Sequence, residues 1–173
     1  MATPQFILDI RGRAGDVLLL LPGVVMVVFD DRGRVLLNRR TDTGRWALIS
    51  GIPDPGEQPA ESAVREIQEE TGVSAVVDRV LSVFTTEPVT YGNGDRAQYI
   101  ETVLRCRAVG GEARVNDDES LDVRWFALDE LPPLGPLARD RIDSALSDRP
   151  TWFAPAPAPD AALAAEGAGQ RLP

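Results

Sequence analysis

Hydrophobic residues near the start of the chain form two short runs separated by a polar turn. Residues 24–29 read VVMVVF, a continuous β-branched run that is typical of a buried strand. Residues 34–40 read RVLLNRR and follow the turn-forming stretch DDRG. Two apolar runs joined by a short turn that contains glycine predict a β-hairpin.

The next segment combines a rigid loop with a helix. Residues 46–50, WALIS, predict a short strand, and residues 51–57, GIPDPGE, contain two glycines and two prolines and predict a sharply turning loop. Pro59 suits the first turn of a helix that we expect to end near Thr71. Gly72 follows at the position where glycine commonly stops a helix.

The remaining periodic segments alternate between strands and one closing helix. We predict strands over 73–84, 98–109 and 121–126, with a turn-rich connection over 87–97. We predict a helix over 136–146. Its predicted apolar stripe consists of Leu137, Ile142 and Leu146.

Length and composition suggest one folded domain with two appendages. The chain has 173 residues, enough for a single domain with a real core. We assign residues 1–19 to an N-terminal arm or short amphipathic helix, residues 20–147 to the domain, and residues 148–173 to a Pro/Ala-rich tail. Within the arm, the predicted apolar side consists of Phe6, Ile7 and Ile10. Trp152 and Phe153 are expected to pin the start of the tail to the body.

Charge and composition exclude several classes of function. The net charge is −9, which disfavours a nucleic-acid duplex or an anionic membrane as partner. The sequence contains no histidine, so catalytic triads and zinc sites that use histidine are excluded. Cys106 is the single cysteine, and the first residues lack a basic signal-peptide region. We expect a cytoplasmic protein with no membrane segment.

Acidic residues crowd one side of the predicted helix 59–71. On a helical wheel, the expected core face consists of Ala60, Val64, Ile67 and Thr71. Glu66, Glu69 and Glu70 lie together on the adjacent side, at spacings that make them neighbours. Glu57, in the preceding loop, reaches the same region. On composition alone, a solvated helix face is the simpler interpretation.

The crowding of these carboxylates has an electrostatic cost. Two like charges about 4 Å apart repel by roughly 4 kcal/mol at an effective dielectric near 20. Arg65 offsets part of this cost, since it reaches Glu69 one turn later and can also hold Glu57, but it cannot neutralise four carboxylates. Oxygen-only ligands suit Mg²⁺, with Mn²⁺ as a substitute.

The loop and helix together follow the pattern G-x5-E-x7-R-E-U-x-E-E-x-G-U, where U is a bulky aliphatic residue. The residues that fill it are Gly51, Glu57, Arg65, Glu66, Ile67, Glu69, Glu70, Gly72 and Val73. The stretch resembles the Nudix box of the Nudix hydrolases, and the order of elements over residues 20–147 is similar to a Nudix domain. The resemblance implies an α+β protein with the Nudix fold, a mixed β-sheet sandwiched between α-helices.

The resemblance also implies a reaction and a set of roles. Nudix hydrolases cleave a pyrophosphate within a nucleoside diphosphate derivative, with divalent metals on the phosphate oxygens. Carried over, Glu66 and Glu70 are principal metal ligands, and Glu69 is a further ligand or a water-orienting base. The carbonyl of Ser50 is a backbone metal ligand, although many members have glycine there. The remaining box residues orient the carboxylates: Arg65 and Glu57.

Two more side chains outside the box are candidates by their position. Glu119, in the loop NDDES, lies where related hydrolases place an extra metal ligand or base, and the alternative is a solvated acidic turn. Arg40 ends the strand before the catalytic loop, where the family often contacts a substrate phosphate. Arg39 should point to the opposite side of that strand.

The sequence leaves the substrate open. Pro88 lies at a spacing seen in ADP-ribose pyrophosphatases, whereas Tyr91 lies near a tyrosine of dinucleoside polyphosphate hydrolases. Our first hypothesis is a Mg²⁺-dependent pyrophosphohydrolase of a compound such as ADP-ribose. The rivals are a house-cleaning pyrophosphatase of modified nucleoside triphosphates and a non-catalytic nucleotide-sensing domain. The expected partner is a small nucleotide, and a homodimer is compatible with the family.

Overall fold

The computed structural model describes residues 3–156, and the greater part of the predicted tail, residues 157–173, lies outside this range. Within residues 3–156 the helices are α1 (Gln5–Ala14), α2 (Pro59–Thr71) and α3 (Pro136–Leu146). The strands are β1 (Leu19–Phe29), β2 (Val35–Arg40), β3 (Trp46–Ala47), β4 (Ile49–Gly51), β5 (Val73–Thr85), β6 (Val89–Thr90), β7 (Arg96–Gly111), β8 (Ser120–Phe126) and β9 (Trp152–Phe153). None of these helices has the length and hydropathy required to span a bilayer.

The strands form one mixed sheet. Its main path runs β3-β2-β1-β7-β5-β9, while β4 pairs with β1, β6 with β7 and β8 with β2. Strand β1 runs parallel to β7, and β5 runs antiparallel to β7. The predicted hairpin of β1 and β2 is confirmed, and Asp30 holds its turn by accepting the backbone N–H groups of Arg32 and Arg34 at 3.0 and 2.8 Å.

Alternate residues of β1 face two separate layers of core, because successive side chains of a strand point to opposite faces. Val24, Met26 and Val28 pack with residues of α2, including Ile67. The intervening residues pack with Ile142 of α3. The sheet therefore lies between α2 and α3, which confirms the predicted α+β fold with a sheet sandwiched between helices.

The bounds of α3 match the predicted range, but its predicted apolar stripe is wrong at two of three positions. Ile142 is buried, whereas Leu137 and Leu146 are 60% and 53% exposed. The side chains that face the sheet are Ala138, Ile142 and Ala145. These residues follow the i, i+4, i+7 spacing of one helix face, so small alanines bring the helix against the sheet.

The first and the last of the described segments are both attached to this body. Helix α1 buries Ile7 in a third cluster with Leu21, Ile52 and Ala97, while Ile10, expected on the same side, is 39% exposed. At the other end, β9 pairs in parallel with β5 and so attaches the start of the tail through its backbone, as expected for Trp152 and Phe153.

Candidate functional site: an acidic helix against a sheet pocket

Helix α2 begins and ends at the residues that the sequence predicts. Gln58 and Glu61 form a capping box, and Glu61 accepts the backbone N–H of Gln58 at 2.7 Å. Pro59 occupies the first turn. Gly72 has a φ of 71°, a left-handed conformation that a glycine adopts without strain and that ends the helix. These signals fix the residues at which α2 begins and ends, so they also fix where the acidic side chains lie along the helix.

The buried face of α2 is rotated relative to the prediction. Ala60 and Val64 are exposed, so their assignment to the core was wrong, whereas Ile67 and Thr71 are buried as expected. The residues that replace them on the buried face are Ser62, Ala63, Glu66 and Glu70. The helix is rotated because Glu66 and Glu70 themselves pack inward. A helical wheel that places acidic residues outside the core face does not predict this packing.

Arg65 connects three of the four acidic residues. It donates two hydrogen bonds to Glu57, at 2.7 and 2.8 Å, and one each to Glu66 and Glu69 at 3.0 Å. Hydrogen bonds from Arg65 hold the pKa of Glu57 at about 2, and Ser62 adds a further bond. The predicted contacts of Arg65 with Glu57 and Glu69 are therefore present, and a contact with Glu66 accompanies them.

Glu66 lies against the backbone of β4. A Cβ atom placed on Gly51 would lie 2.3 Å from Cγ and Cδ of Glu66 and 2.4 Å from its Oε1. Strand β4 is held by pairing with β1, where Ser50 is opposite Val25. Glycine at residue 51 thus leaves the space that the Glu66 carboxyl group occupies, next to the backbone of Ser50.

Glu70 is buried without a cationic hydrogen-bond partner among the described residues. Its Oε2 accepts a hydrogen bond of 2.7 Å from the amide nitrogen of Asn38, which also lies 3.4 Å from the hydroxyl of Ser120. Burial, together with the negative charges of Glu66 and Asp117, raises the pKa of Glu70 to about 8. Burial also raises the pKa of Glu66, although Arg65 opposes this shift.

Asn38 is a site residue that the sequence interpretation missed. Only 5% of it is exposed, and within the described part of the chain its Oδ1 has no hydrogen-bond partner. The signal in the sequence is a single amide in the otherwise apolar run VLLN of β2. A buried polar residue in a strand needs partners, and here its partner is the carboxylate of Glu70.

The donor set fits a hard divalent cation. Glu66 and Glu70 are buried carboxylates one helical turn apart, and the oxygen of Asn38 adds an acceptor beside them. Such oxygens suit Mg²⁺, and a cation would offset the cost of burying two like charges. Within residues 3–156, no group of three acidic or cysteine side chains already has the spacing of a metal cluster. Glu66 and Glu69 instead accept hydrogen bonds from Arg65.

A pocket of about 410 Å³ opens beside this cluster. Its lining residues include Arg40, Ser50, Gly51, Tyr91, Tyr99 and Glu101. Arg40 also bonds Asp42 through two hydrogen bonds of 2.9 and 2.6 Å, which hold the pKa of Asp42 at about 2. Arg39 instead donates to the carbonyl of Gly44 in the same turn, and its placement on the opposite side of the strand from Arg40 stays a prediction.

The loop 116–120 packs at the end of α2. The side chain of Asn116 donates to the carbonyls of Gln68 and Glu69, both at 3.1 Å, and caps the helix. Asp117 lies close enough to Glu70 to raise its pKa. Glu119 is partly buried and its carbonyl accepts the N–H and hydroxyl of Thr41, both at 2.9 Å. Its role as a further ligand or base stays a prediction.

Comparisons with known proteins agree with this architecture. A family model described as the NUDIX domain matches residues 19–146. A MutT-like protein of Streptomyces ambofaciens is 36% identical over 108 residues, which cover 62% of this chain and 64% of that protein. A putative 8-oxo-dGTP diphosphatase of Bacillus subtilis is 30% identical over 110 residues, covering 64% and 68%. An ADP-ribose pyrophosphatase structure from Streptococcus suis matches with a TM-score of 0.59 and 25% identity, covering 78% of this chain and 98% of that one.

Proposed function

This chain belongs to the Nudix family, and from that premise we propose that it is a Mg²⁺-dependent pyrophosphohydrolase of a nucleoside diphosphate derivative such as ADP-ribose. The observation that carries the proposal is the pair of buried carboxylates, Glu66 and Glu70, packed beside a pocket lined by Ser50 and Gly51. Burying two acidic side chains together destabilises the fold, and a cation that also binds the diphosphate would offset this cost.

Glu66 and Glu70 would hold the cation, with the carbonyl of Ser50 as a further ligand and Glu69 as either a further ligand or a water-orienting base. Bound Mg²⁺ would supply Lewis acidity to the phosphate oxygens and lower the pKa of a coordinated water. Asn38 keeps the Glu70 carboxylate in place through its 2.7 Å hydrogen bond. The narrow space beside Gly51 restricts the conformations open to Glu66.

The remaining box residues position these ligands and the water. Arg65 holds Glu57 through two short hydrogen bonds and thereby ties the loop to the helix. Glu69 is the exposed member, with 57% of its side chain accessible, which suits a group that accepts a proton from water. Glu119 is the further candidate for that base.

Arg40 would contact a phosphate of the substrate. It lines the pocket, and its guanidinium group is held by Asp42, so its orientation is fixed before a ligand arrives. A planar guanidinium group with several N–H donors suits the oxygens of a phosphate. The volume of about 410 Å³ lies within the range of small-molecule sites.

A substrate panel tests the proposal. ADP-ribose, CDP-choline, a diadenosine polyphosphate and 8-oxo-dGTP would be incubated with the protein in Mg²⁺ or Mn²⁺, and phosphate-containing products would be separated by chromatography. We expect cleavage of ADP-ribose within the diphosphate, and loss of cleavage in EDTA. Cleavage of none of these compounds would contradict the proposed hydrolysis and favour a nucleotide-sensing domain.

A second candidate, a house-cleaning pyrophosphatase of modified nucleoside triphosphates, is favoured by one comparison. The similar Bacillus subtilis protein is described as a putative 8-oxo-dGTP diphosphatase. The same panel separates the two candidates, because hydrolysis of 8-oxo-dGTP releases a nucleoside monophosphate and pyrophosphate, whereas ADP-ribose gives two monophosphates.

A further inference from the structure

Helix α1 lies outside the residues that match the family model, yet it contributes to the pocket. The match begins at residue 19, whereas α1 is Gln5–Ala14. Thr3, just before the helix, and Ile7 within it line the same pocket as Arg40 and Ser50. One wall of the pocket is therefore formed by a segment outside the family match.

A single buried side chain fastens this wall. Only 10% of the Arg11 side chain is exposed. Its guanidinium group donates to the carbonyls of Gly15 and Val17 at 3.0 and 2.6 Å, and to the carbonyl of Arg96 at the start of β7. It also forms an ion pair with Asp95 at 3.4 Å. Arg11 thus connects α1 to the turn that precedes β7.

That turn carries Tyr91, which lines the pocket together with Tyr99 of β7. Asp95 accepts the side-chain amide of Asn93 at 2.9 Å, and its carbonyl accepts the N–H of Tyr91 at 2.9 Å. The hydroxyl of Tyr91 lies 2.6 Å from that of Tyr99, and both rings line the pocket. A continuous set of contacts therefore runs from Arg11 through Asp95 to the tyrosine pair.

The pocket lining combines two kinds of chemistry. Arg40 and the backbone of Ser50 suit phosphate, whereas apolar and aromatic surface comes from Ile7, Leu21, Ile52 and the two tyrosines. Apolar side chains next to aromatic rings and hydroxyl groups suit a flat, weakly polar group such as a nucleobase. A bare polyphosphate would gain nothing from this apolar and aromatic surface.

We propose that α1 and the turn 91–95 form a specificity wall for the nucleoside of the substrate, with Arg11 as the positioning residue that holds the two together. The proposal rests on the proposed function for the diphosphate. It assigns Arg11 a role in substrate affinity rather than in the chemical step, because Arg11 acts through the wall and lies on a different element from the carboxylates.

The test compares Arg11→Met with Arg13→Met, an exposed position on the same helix. Steady-state kinetics would be measured with ADP-ribose, or with the panel compound that the wild type cleaves, together with the melting temperature of each variant. For Arg11→Met we expect KM to rise about tenfold while kcat stays within about twofold of wild type, the pattern of lost binding energy shared by ground and transition states. Arg11→Lys keeps the charge opposite Asp95 and should recover part of the affinity.

Two outcomes separate this inference from the proposed function. If the wild type cleaves the substrate and folded Arg11→Met has an unchanged KM, the specificity wall is wrong and the hydrolase stands. If the wild type cleaves nothing in the panel, the proposed function is wrong, and the specificity wall, which rests on it, is wrong with it. Should Arg11→Met fail to fold, Asp95→Asn removes the ion pair while retaining an acceptor in the turn, and an unchanged KM in that variant would overturn the inference equally.

Discussion

Gly51→Ala is the substitution for which the structure gives the sharpest expectation. The added Cβ would lie 2.3 Å from Cγ and Cδ of Glu66, about 1 Å closer than ordinary van der Waals contact. No positive φ restricts Gly51, so the backbone itself tolerates alanine. The clash is therefore relieved by moving the Glu66 side chain.

The expected magnitude follows from that displacement. Forcing an extra methyl group into a packed position costs about 1–3 kcal/mol of stability, and moving a flexible side-chain end should keep the cost near the lower value. A misplacement of about 1 Å in a catalytic group can lower the rate by about 100-fold, equivalent to about 2.7 kcal/mol in the activation barrier. We expect kcat/KM to fall by about that factor in a variant that remains folded.

The assay measures kcat/KM in Mg²⁺ and the free energy of unfolding by denaturant titration for Gly51→Ala and for a control, Gly110→Ala. A Cβ on Gly110 would meet no atom within 4 Å, so the control tests the general effect of alanine in a strand. The reasoning would be refuted if Gly51→Ala kept wild-type kcat/KM, or if it lost activity only in proportion to an unfolded fraction.

Three further predictions concern stability and the support of the carboxylates. In EDTA, Glu70→Gln should be more stable than wild type at high pH. The raised pKa of Glu70 means that its stability contribution is present below pH 4.5 and lost as pH rises through about 8, a difference of roughly 5 kcal/mol that unfolding curves across this range would detect. Gly111→Ala should destabilise the fold by about 3 kcal/mol or more in chemical denaturation, because its φ is 79° and a Cβ would lie 2.3 Å from the carbonyl oxygen of Gly72; a loss no larger than that of Gly110→Ala would contradict this. Asn38→Leu should lower kcat about tenfold or more by removing the donor to Glu70, and unchanged kinetics in a folded variant would exclude a role for this amide.

Much of the fold could be predicted because local signals agree with tertiary packing. Pro59 and Gly72 mark the ends of α2, and the structure places both ends there. Residues 136–146 likewise match α3. What the sequence did not reveal was which side of each helix faces the sheet. Val64 and Leu137 are apolar yet exposed, since the choice between neighbouring faces depends on what the sheet offers opposite them.

The contacts of the candidate site likewise divide into those set by local sequence and those set by tertiary packing. The motif located the acidic residues and the contacts of Arg65 with Glu57 and Glu69, because spacing along a helix determines these contacts. Asn38 reaches Glu70 only through the packing of β2 against α2, at a separation of 32 residues along the chain. The joining of Arg11 to Asp95 is equally non-local, so neither contact follows from a local pattern.

The affinity of the buried carboxylates for a divalent cation is the property on which the proposed function depends most directly. Mn²⁺ binding measured by electron paramagnetic resonance in wild type, Glu66→Gln, Glu70→Gln and the exposed control Glu112→Gln would test it. We predict that wild type and the control bind Mn²⁺ equally, and that each buried-site variant loses at least about tenfold in affinity. Equal affinity in all four folded proteins would contradict the assignment of these carboxylates as cation ligands.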